Sequence, residues 1–442
     1  MTEGMTMDSA RADALFARER LATLGWIPRN AEDFRHLPPP PAEVWLGSGD
    51  AAADAQCEAP PLAGAGWTLH PLGHMPPGRV DARWLDAADP EQRAELFAGL
   101  ARPDLPGADG DQDAAAPFAW AHRALCRQGL RVRIGGESGR ARHPETVWLQ
   151  LRRQPRSAVE APLLVIEVLP GVQCVLVESH DRLAQGDERD GAAPCTHALV
   201  QNMQLHLRLG QGAVLQHLRV VAPGSEDRIA HHIDARVAAG ARYEQATIAS
   251  GSSYHLQRTV VDLQGEKAES RSAGVLFAAG SVLEQQVRVS HCAAATSSAV
   301  EAIALADARA QVVVNAHSRI APGADEAALR QRLTGIPTGG QPKIVLRPHL
   351  EIHHDQVQAA HGATWGALPE DALFYATQRG IDARDARAMI VHGMAHAVLA
   401  RGLDDPELLE SLGVEALLAR AVAGHLEASA RAQQPKTELS HG

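Results

Sequence analysis

Residues 203–221, MQLHLRLGQGAVLQHLRVV, contain the pattern that decides the fold. Met203, Leu205, Leu207 and Leu209 alternate with polar residues, and a short Gly-containing turn leads directly into a second segment of the same kind. Apolar residues at every second position predict strands, because successive side chains of a strand point to opposite faces of the sheet. We therefore expect two short strands that each bury one face.

Similar segments continue from about residue 130 to residue 361. Turn residues separate them, and no helical segment of ten residues lies between them, which argues against a doubly wound α/β sheet. Examples are LLVIEV (163–168), HHIDARV (231–237), RYEQATI (242–248), VLEQQVRV (282–289), QVVVNAHS (311–318) and KIVLRPHLEI (343–352).

A weak repeat runs through this region. Its units begin at Gly212, Gly240, Gly265, Gly280 and Asp307, so that successive starts are 28, 25, 15 and 27 residues apart. Stacked turns of a β-solenoid give such spacing, because each turn needs a corner where backbones approach closely. The alternative is a β-sandwich, whose turns recur about every 8–12 residues. The spacing favours the solenoid.

The N-terminal part of the chain is predicted to be helical. Ser9 to Gly25 has apolar residues at helical spacing, and Glu91 to Leu100 is a second candidate helix. Asp113 to Gly129 is a third, with Asp113 as the N-cap. Pro28 to Leu46 contains four consecutive prolines, which predict an extended arm or a loop.

The C-terminal part is helical again from about Pro369. Asp382 is the predicted N-cap of one helix, and Asp405 with Pro406 begins another that runs to about Ala430. We predict three units: an N-terminal helical domain with a Pro-rich arm (1–130), a β-solenoid core (131–366) and a C-terminal helical domain (367–442).

Composition excludes several classes of protein. The 442 residues include 42 Lys and Arg against 53 Asp and Glu, a net charge of −11, which argues against nucleic acid as a partner. No stretch approaches 18 apolar residues, and the polar N-terminus is unlike a signal peptide, so we expect no membrane partner. The five scattered cysteines (57, 126, 174, 195 and 292) favour neither a disulfide framework nor a zinc ribbon. Together these features predict a cytoplasmic protein.

Histidine is unusually frequent, with 22 copies. His349, Glu351 and His353 alternate along one segment and are predicted to share the outer face of a strand. Imidazole and carboxylate groups can bind zinc or iron. Three ligands in a straight row do not converge, however, so a solvated face at a protein interface is the favoured interpretation. The role of this face stays open.

Other candidate groups give weaker signals. Asp385, His392 and His396 lie on one stripe of the predicted C-terminal helix. The two histidines are spaced to chelate a metal, but a polar or partner-facing surface is favoured because the sequence shows no further ligand. Cys292, beside His291, is predicted to be a small buried residue rather than a reactive thiol.

Two further sequence features are judged from local pattern alone. Of the adjacent pair His231 and His232, one ring is predicted to face inward and one outward. The glycine-rich segment 335–343, GIPTGGQPK, is not a phosphate-binding loop, because Gln and Pro separate its last glycine from the lysine.

The stretch 348–381, PHLEIHHDQVQAAHGATWGALPEDALFYATQRGI, resembles the C-terminal signature of the SufB/SufD family of iron–sulfur cluster assembly proteins. The pattern of that family is Pro-x-Leu-Glu-Ile, Asp-x-Val, His-Gly-Ala-Thr-x-Gly and Phe-Tyr-x-x-x-Arg-Gly-Ile. Similarity extends over most of the chain and is weakest over about 47–130. SufB chains carry a cysteine before the first of these motifs, whereas residues 329–344 contain none. The chain therefore resembles the SufD branch.

This resemblance implies a mainly β protein, with a right-handed parallel β-helix core flanked by N- and C-terminal α-helical domains. It also implies a non-catalytic subunit that pairs with a SufB-like paralogue through the β-helix. The C-terminal helical domain would contact a SufC-like ATPase. A homodimer of the isolated chain is not distinguished from the heterodimer by sequence.

One site residue follows from the resemblance. His361 corresponds to a family histidine at the partner interface, where it is a candidate ligand for iron or a nascent cluster, and an ordinary interface histidine is an equal alternative. SufD chains often have cysteine two residues earlier, where this chain has Ala359. No stably bound cofactor is expected, and the sequence leaves open whether metal or flavin is bound. The rival hypothesis is a stand-alone β-helix enzyme acting on acidic polysaccharide.

Overall fold

The computed structural model describes residues 9–47, 66–73, 78–103, 113–135, 146–155, 157–181, 197–403 and 405–433. The predicted fold class is confirmed: the chain is mainly β, with a parallel β-solenoid of about 7 turns and helices at its ends. The strands are β1 Trp67–Pro71, β2 Val80–Asp86, β3 Gln128–Ile134, β4 Val147–Arg153, β5 Val159–Glu160, β6 Leu163–Val168, β7 Gln173–Asp181, β8 Val200–Leu209, β9 Val214–Ala222, β10 Arg228–Val237, β11 Arg242–Ser250, β12 Tyr254–Leu263, β13 Glu269–Ala279, β14 Val282–His291, β15 Ser297–Asp307, β16 Gln311–Ile320, β17 Ala328–Pro337, β18 Lys343–Ile352 and β19 Gln358–Trp365. The helices are α1 Ser9–Leu24, α2 Ala42–Leu46, α3 Pro90–Leu96, α4 Ala116–Leu125, α5 Glu370–Gln378, α6 Ala383–Leu403, α7 Pro406–Ser411 and α8 Val414–Gln433.

The strands alternate between two sheets as the chain winds. A nine-stranded sheet has the order β1-β4-β7-β9-β11-β13-β15-β17-β19, and a ten-stranded sheet has the order β18-β16-β14-β12-β10-β8-β6-β3-β2. Consecutive strands of one sheet therefore come from consecutive turns. In the ten-stranded sheet Val200 pairs with Arg228, and Arg228 pairs with Tyr254, so one turn takes 28 and the next 26 residues.

The corners of the solenoid explain the irregular repeat. Along one edge the corner residues Gly212, Gly240, Lys267, Ala295 and Glu326 all have positive φ, between 55° and 65°. The N–H of each donates to a carbonyl of the next corner. The opposite edge has its own corners of positive φ at Gly280, Ala308 and Gly340. The predicted series switched from the first edge to the second after Gly265, which produced the interval of 15 residues.

The interior of the solenoid is apolar over most of its length. The inward side chains of the alternating pattern, Met203, Leu205, Leu207 and Leu209 among them, form one continuous core with the facing sheet. Burial of these side chains stabilises the fold by about 1.5–3 kcal/mol each. The period-two pattern read from the sequence is therefore the pattern of this core.

Helices cover the outer faces of both sheets. The C-terminal helices α6 and α8 pack on the nine-stranded sheet through residues such as Val391, Leu399 and Leu418. Helix α4 and residues 28–46, which we call the N-terminal arm, pack on the ten-stranded sheet through Phe118 and Phe34 among others. The arm lacks regular structure over residues 28–41, as predicted, but its last residues form the short helix α2, which was not predicted.

Several helix boundaries differ from prediction. Helix α3 ends at Leu96 rather than Leu100, and α4 spans only Ala116–Leu125. Asp113 is not the N-cap of α4: Ala115 holds that position, and Asp113 accepts a hydrogen bond from the N–H of Ala115 at 2.9 Å.

The last predicted helix is two helices in the structure. Asp405 caps α7 as predicted, accepting from the N–H of Leu408 at 3.0 Å. A second helix, α8, starts after Gly413, whose φ of 61° favours glycine. Asp382 also acts as predicted, accepting from the N–H of Arg384 at 2.7 Å.

Two strands lie within the residues assigned to the N-terminal domain. β1 pairs antiparallel with β4, and β2 pairs antiparallel with β3, so both lie against the first turns of the solenoid. The division into three domains, with boundaries at 130/131 and 366/367, stays a prediction. Among the helices of the described residues, none is long and apolar enough to cross a membrane.

Candidate functional site

His361 lies on the last strand of the nine-stranded sheet. β19 pairs with β17, with Gln331 opposite His361, and among the described strands no other strand pairs with β19. Most residues of β19, His361 included, are exposed. A chain that reaches this edge therefore meets the imidazole together with unpaired backbone N–H and C=O groups.

Both sheets end at the same end of the solenoid. β18 is the last strand of the ten-stranded sheet, as β19 is of the other, and we call these two strands the terminal turn. Four large apolar side chains are exposed on the terminal turn and the following helix α5: Ile352 at 43%, Trp365 at 61%, Phe374 at 65% and Tyr375 at 59%. Exposed apolar residues grouped around unpaired strand edges mark a protein interaction surface.

His349, Glu351 and His353 lie close together as predicted, but their side chains are already engaged by one another and by neighbouring residues. Glu351 accepts hydrogen bonds from His353 Nε2 at 2.6 Å and from Arg319 Nε at 3.2 Å. These interactions, with the hydrogen bond from His353 the largest, lower the pKa of Glu351. The ring of His349 packs edge-on against His317, with centroids 4.6 Å apart. Within the described residues, no group of three or more His, Cys, Asp or Glu is arranged to hold a metal ion.

The second histidine candidate, Asp385, His392 and His396, has a fourth member that sequence reasoning missed. The carboxylate of Glu415 on α8 lies 3.0 Å from His392 Nε2 and 3.3 Å from His396 Nε2, so it bridges two turns of α6. Nothing in the local sequence marks Glu415, because only the packing of α8 against α6 brings it there. Asp385 lies on the same helix and lines an adjacent groove.

This groove runs between α6 and α8 near the start of α6. Its volume is about 510 Å³. Most of its lining is apolar, including Met389, Val422 and Leu426, and its polar lining residues are Arg384, Asp385 and His392. Met389 is one of the most exposed large apolar residues of the described chain. The C-terminal helices thus offer a second candidate surface for a partner.

A buried polar cluster inside the solenoid was not predicted. Glu178 is fully buried and accepts hydrogen bonds from Arg219, from His217 Nε2 at 2.8 Å and from His180. Arg219 also donates to Gln257 Oε1 at 2.7 Å. Burial alone would raise the pKa of Glu178, but the charge of Arg219 and the two histidines hold it well below the ordinary value.

The adjacent pair of histidines divides as predicted. His231 faces inward and joins this cluster, because its Nδ1 accepts from Arg219 at 3.3 Å and its Nε2 donates to Gln201 at 2.6 Å. His232 faces outward and packs against the ring of Phe118. The alternation of the two rings could be predicted from the sequence. The partners of His231 could not, because they come from two other strands.

Of the three described cysteines, Cys126 and Cys174 are buried, whereas Cys292, predicted to be buried, is only half-buried. Burial raises the pKa of Cys126 to about 12 and also raises that of Cys174. Both ring nitrogens of His291, beside Cys292, are engaged by Thr296 and Ser298 at 2.9 and 2.8 Å. Cys57 and Cys195 lie outside the described residues.

Comparisons with known proteins place the chain in a family. Residues 152–394, more than half of the chain, match the model of the SufBD core domain of the SUF system for iron–sulfur cluster assembly. The iron–sulfur cluster assembly protein SufD of Escherichia coli is 24% identical over 267 residues, 57% of this chain and 62% of that protein. A SufBD-family iron–sulfur cluster assembly protein of Synechocystis is 23% identical over 251 residues, 55% of this chain and 54% of the relative.

The alignments cover 62% and 54% of these two relatives' own lengths. Neither the family match nor the relatives support the alternative of a polysaccharide enzyme. A match over more than half of the chain, on a parallel solenoid with helical ends, establishes the family. The chain belongs to the SufB/SufD family of iron–sulfur cluster assembly proteins.

Proposed function

We propose that this chain is a SufD-like, non-catalytic subunit of a scaffold that it forms with a SufB-like paralogue and a SufC-like ATPase. The similarity to the Escherichia coli protein named SufD supports the branch. So does the segment 329–344, which lacks the cysteine of SufB chains. The role of such a subunit is to complete the scaffold and to help supply iron to a growing cluster.

The open terminal turn is the observation that carries this proposal. A parallel solenoid that ends in two strands, each with one unpaired edge, can be continued by the strands of a second solenoid, with backbone hydrogen bonds across the junction. The exposed side chains of Ile352 and Trp365 would then become buried. A SufB-like paralogue has the matching architecture, and a second copy of this chain is the competing occupant.

His361 is the residue we propose to contact the cargo. Its imidazole is exposed on β19, at the junction that the proposed heterodimer would form. Neutral imidazole suits iron(II), and a single ligand from this chain would allow transfer of the iron or of a nascent cluster. Ala359 supplies no thiolate two residues earlier, so the remaining ligands would come from the partner or from solvent.

The C-terminal helices supply the second contact. The apolar groove between α6 and α8, together with exposed Met389, is the proposed docking surface for one SufC-like ATPase. A complex with one copy each of this chain and the SufB-like protein would then carry two SufC-like subunits.

Co-expression with SufB-like and SufC-like proteins, followed by native mass spectrometry, tests the assembly. We expect a complex containing one copy of this chain, one SufB-like and two SufC-like subunits. If this chain remains apart from both proteins, or forms only a homodimer in their presence, the proposed scaffold role is wrong.

Substitution of His361 tests the role in cargo binding. His361→Ala is expected to leave the complex intact by native mass spectrometry and to lower its iron and sulfide content in cells. Gln358→Ala, on the same exposed strand, is the matched control and is expected to change neither. Full cluster loading in the His361→Ala complex would show that His361 does not bind the cargo and only contacts the partner.

A further inference from the structure

One carboxyl group lies buried where the N-terminal arm covers the ten-stranded sheet. Glu284 on β14 has no exposed surface. Its neighbours in the strand register are Leu256 on β12 and Val313 on β16. Both belong to the apolar cluster to which the arm contributes Phe34 and Trp45. A charged carboxylate at this position loses its hydration without entering a polar environment.

The hydrogen bonds of Glu284 satisfy only half of its carboxyl group. Oε1 accepts from Gln286 Nε2 at 2.9 Å and from Asn315 Nδ2 at 2.8 Å. Oε2 is buried and has no hydrogen-bond partner among the described residues. Gln286 Nε2 also donates to the backbone carbonyl of Asp33 at 2.8 Å. One amide group therefore joins the carboxyl group directly to the arm.

The arm has further polar anchors on the last strands of the sheet. Arg288 on β14 pairs with the Asp33 carboxylate at 3.2 Å, and Gln311 on β16 donates to the carbonyl of His36. Arg347 on β18 donates to the carbonyl of Glu32 at 3.0 Å and pairs with its carboxylate. The arm thus reaches from the middle of the sheet to the terminal turn.

The charges facing Glu284 do not offset its burial. Burial raises its pKa to about 8; the hydrogen bonds from Gln286 and Asn315 and the charge of Arg347 act in the other direction, while Asp33 adds to the rise. Tyr254 faces it from β12, and burial raises the pKa of that hydroxyl well above the ordinary value. Burial and then the charge of Arg347 lower the pKa of His36 on the arm.

We propose that Glu284 is a proton-dependent latch that holds the N-terminal arm on the ten-stranded sheet. With the carboxyl group protonated, the apolar contact and the Gln286 link are both satisfied and the arm is closed. When the proton leaves to solvent, the carboxylate needs water, which can reach it only if the arm lifts. Lifting the arm uncovers the apolar cluster and releases Arg347 beside the terminal turn.

The direction of the pH dependence follows from the two states of the arm. With the arm open, Glu284 is hydrated and has its ordinary pKa of about 4.5, whereas with the arm closed its pKa is about 8. Protonation of Glu284 therefore favours the closed arm fully below the ordinary pKa of about 4.5, and this preference is lost as the pH rises towards 8. The ratio of open to closed arm increases by up to about tenfold per pH unit in this range and levels off above it.

Hydrogen–deuterium exchange of the full chain at pH 6 and pH 8, corrected for the intrinsic exchange rate, measures the opening. In peptides covering residues 28–46 we expect protection to fall by about 50-fold between the two values. Glu284→Gln is expected to remove this dependence and to keep the arm closed at pH 8. Glu269→Gln, the same change on the other sheet, is the matched control and keeps the dependence of the unmodified chain.

Two further variants keep the test decisive. Glu284→Leu replaces the carboxyl group with an apolar side chain between Leu256 and Val313, and it too is expected to hold the arm closed at both pH values. Phe34→Ala weakens the apolar contact and is expected to lower protection equally at pH 6 and 8. Constant protection in the unmodified chain, or an unchanged pH dependence in both Glu284 variants, would overturn the proposal.

Discussion

Removal of the charge on Glu178 is expected to destabilise the solenoid strongly. Glu178→Gln preserves the shape of the side chain but leaves Arg219, only 1% exposed, as a buried cation without a counter-charge. Breaking a buried pair in this way costs about 3–5 kcal/mol. A Coulomb attraction of about 4 kcal/mol at 4 Å, with an effective dielectric constant of about 20, gives the same magnitude. That is a large part of the ~5–15 kcal/mol by which native proteins are stable.

Urea unfolding monitored by far-ultraviolet circular dichroism measures this loss. Trp67 lies 5.5 Å from His180 between ring centroids, so one of the seven tryptophans that contribute to the fluorescence lies beside the cluster. Glu167→Gln is the control, because the pair of Glu167 with Arg133 is exposed and 3.6 Å long. Surface pairs of this kind contribute about 0–1 kcal/mol. A similar small loss in Glu178→Gln would show that the cluster is hydrated and refute the argument.

The double variant Glu178→Gln/Arg219→Met separates charge from packing. Because it removes both charges, it is expected to lose less stability than the sum of the two single variants, by about 0.5–3 kcal/mol. The pH dependence has a defined sign. The pKa of Glu178 lies well below its ordinary value of 4.5 in the folded chain. Its contribution is therefore present above that value and is lost as the pH falls towards the folded-state pKa.

Two other predictions test the corners and the buried thiols. Gly340→Ala would place a Cβ 2.6 Å from the Ala308 backbone at a φ of 62°, and we expect a loss of about 1–3 kcal/mol in thermal unfolding. Gly362→Ala, with nothing within 4 Å, is expected to be neutral, and equal effects of the two changes would contradict the corner geometry. Iodoacetamide at pH 8 is expected to spare Cys126 and Cys174 in the folded chain, because burial raises the pKa of both thiols. Peptide mass mapping checks this result, and rapid native alkylation of either thiol would show that it is accessible.

The solenoid could be predicted because its information is local. Each turn repeats the period-two pattern, and the corners at Gly212 and Gly240 use glycine where φ is positive. The other corners were harder to find, because Lys267, Ala295 and Glu326 adopt positive φ with ordinary side chains. For these residues the stacked hydrogen bonds between successive corners, rather than local preference, determine the backbone conformation.

The candidate sites were predictable only as far as one strand or helix extends. Alternation placed His349 and Glu351 together, and helical spacing aligned His392 with His396. The groups that decide what these residues do came from elsewhere: Arg319 from the preceding turn, and Glu415 from another helix. The apolar neighbours of Glu284 likewise come from two adjacent strands and from the arm, so its buried carboxyl group has no signature in the sequence around it.

The strands at the two ends of the solenoid differ in pairing direction and in charge. At the first turns, β1 and β2 pair antiparallel and interrupt the parallel stacking. β2 is seven residues long and carries Asp81, Arg83 and Asp86, and charges on a short edge strand oppose further pairing. β19 has no Asp, Glu, Lys or Arg and remains parallel to its neighbour. Among the described end strands, β19 therefore combines an uncharged edge with parallel stacking, and the exposed His361 lies on that edge.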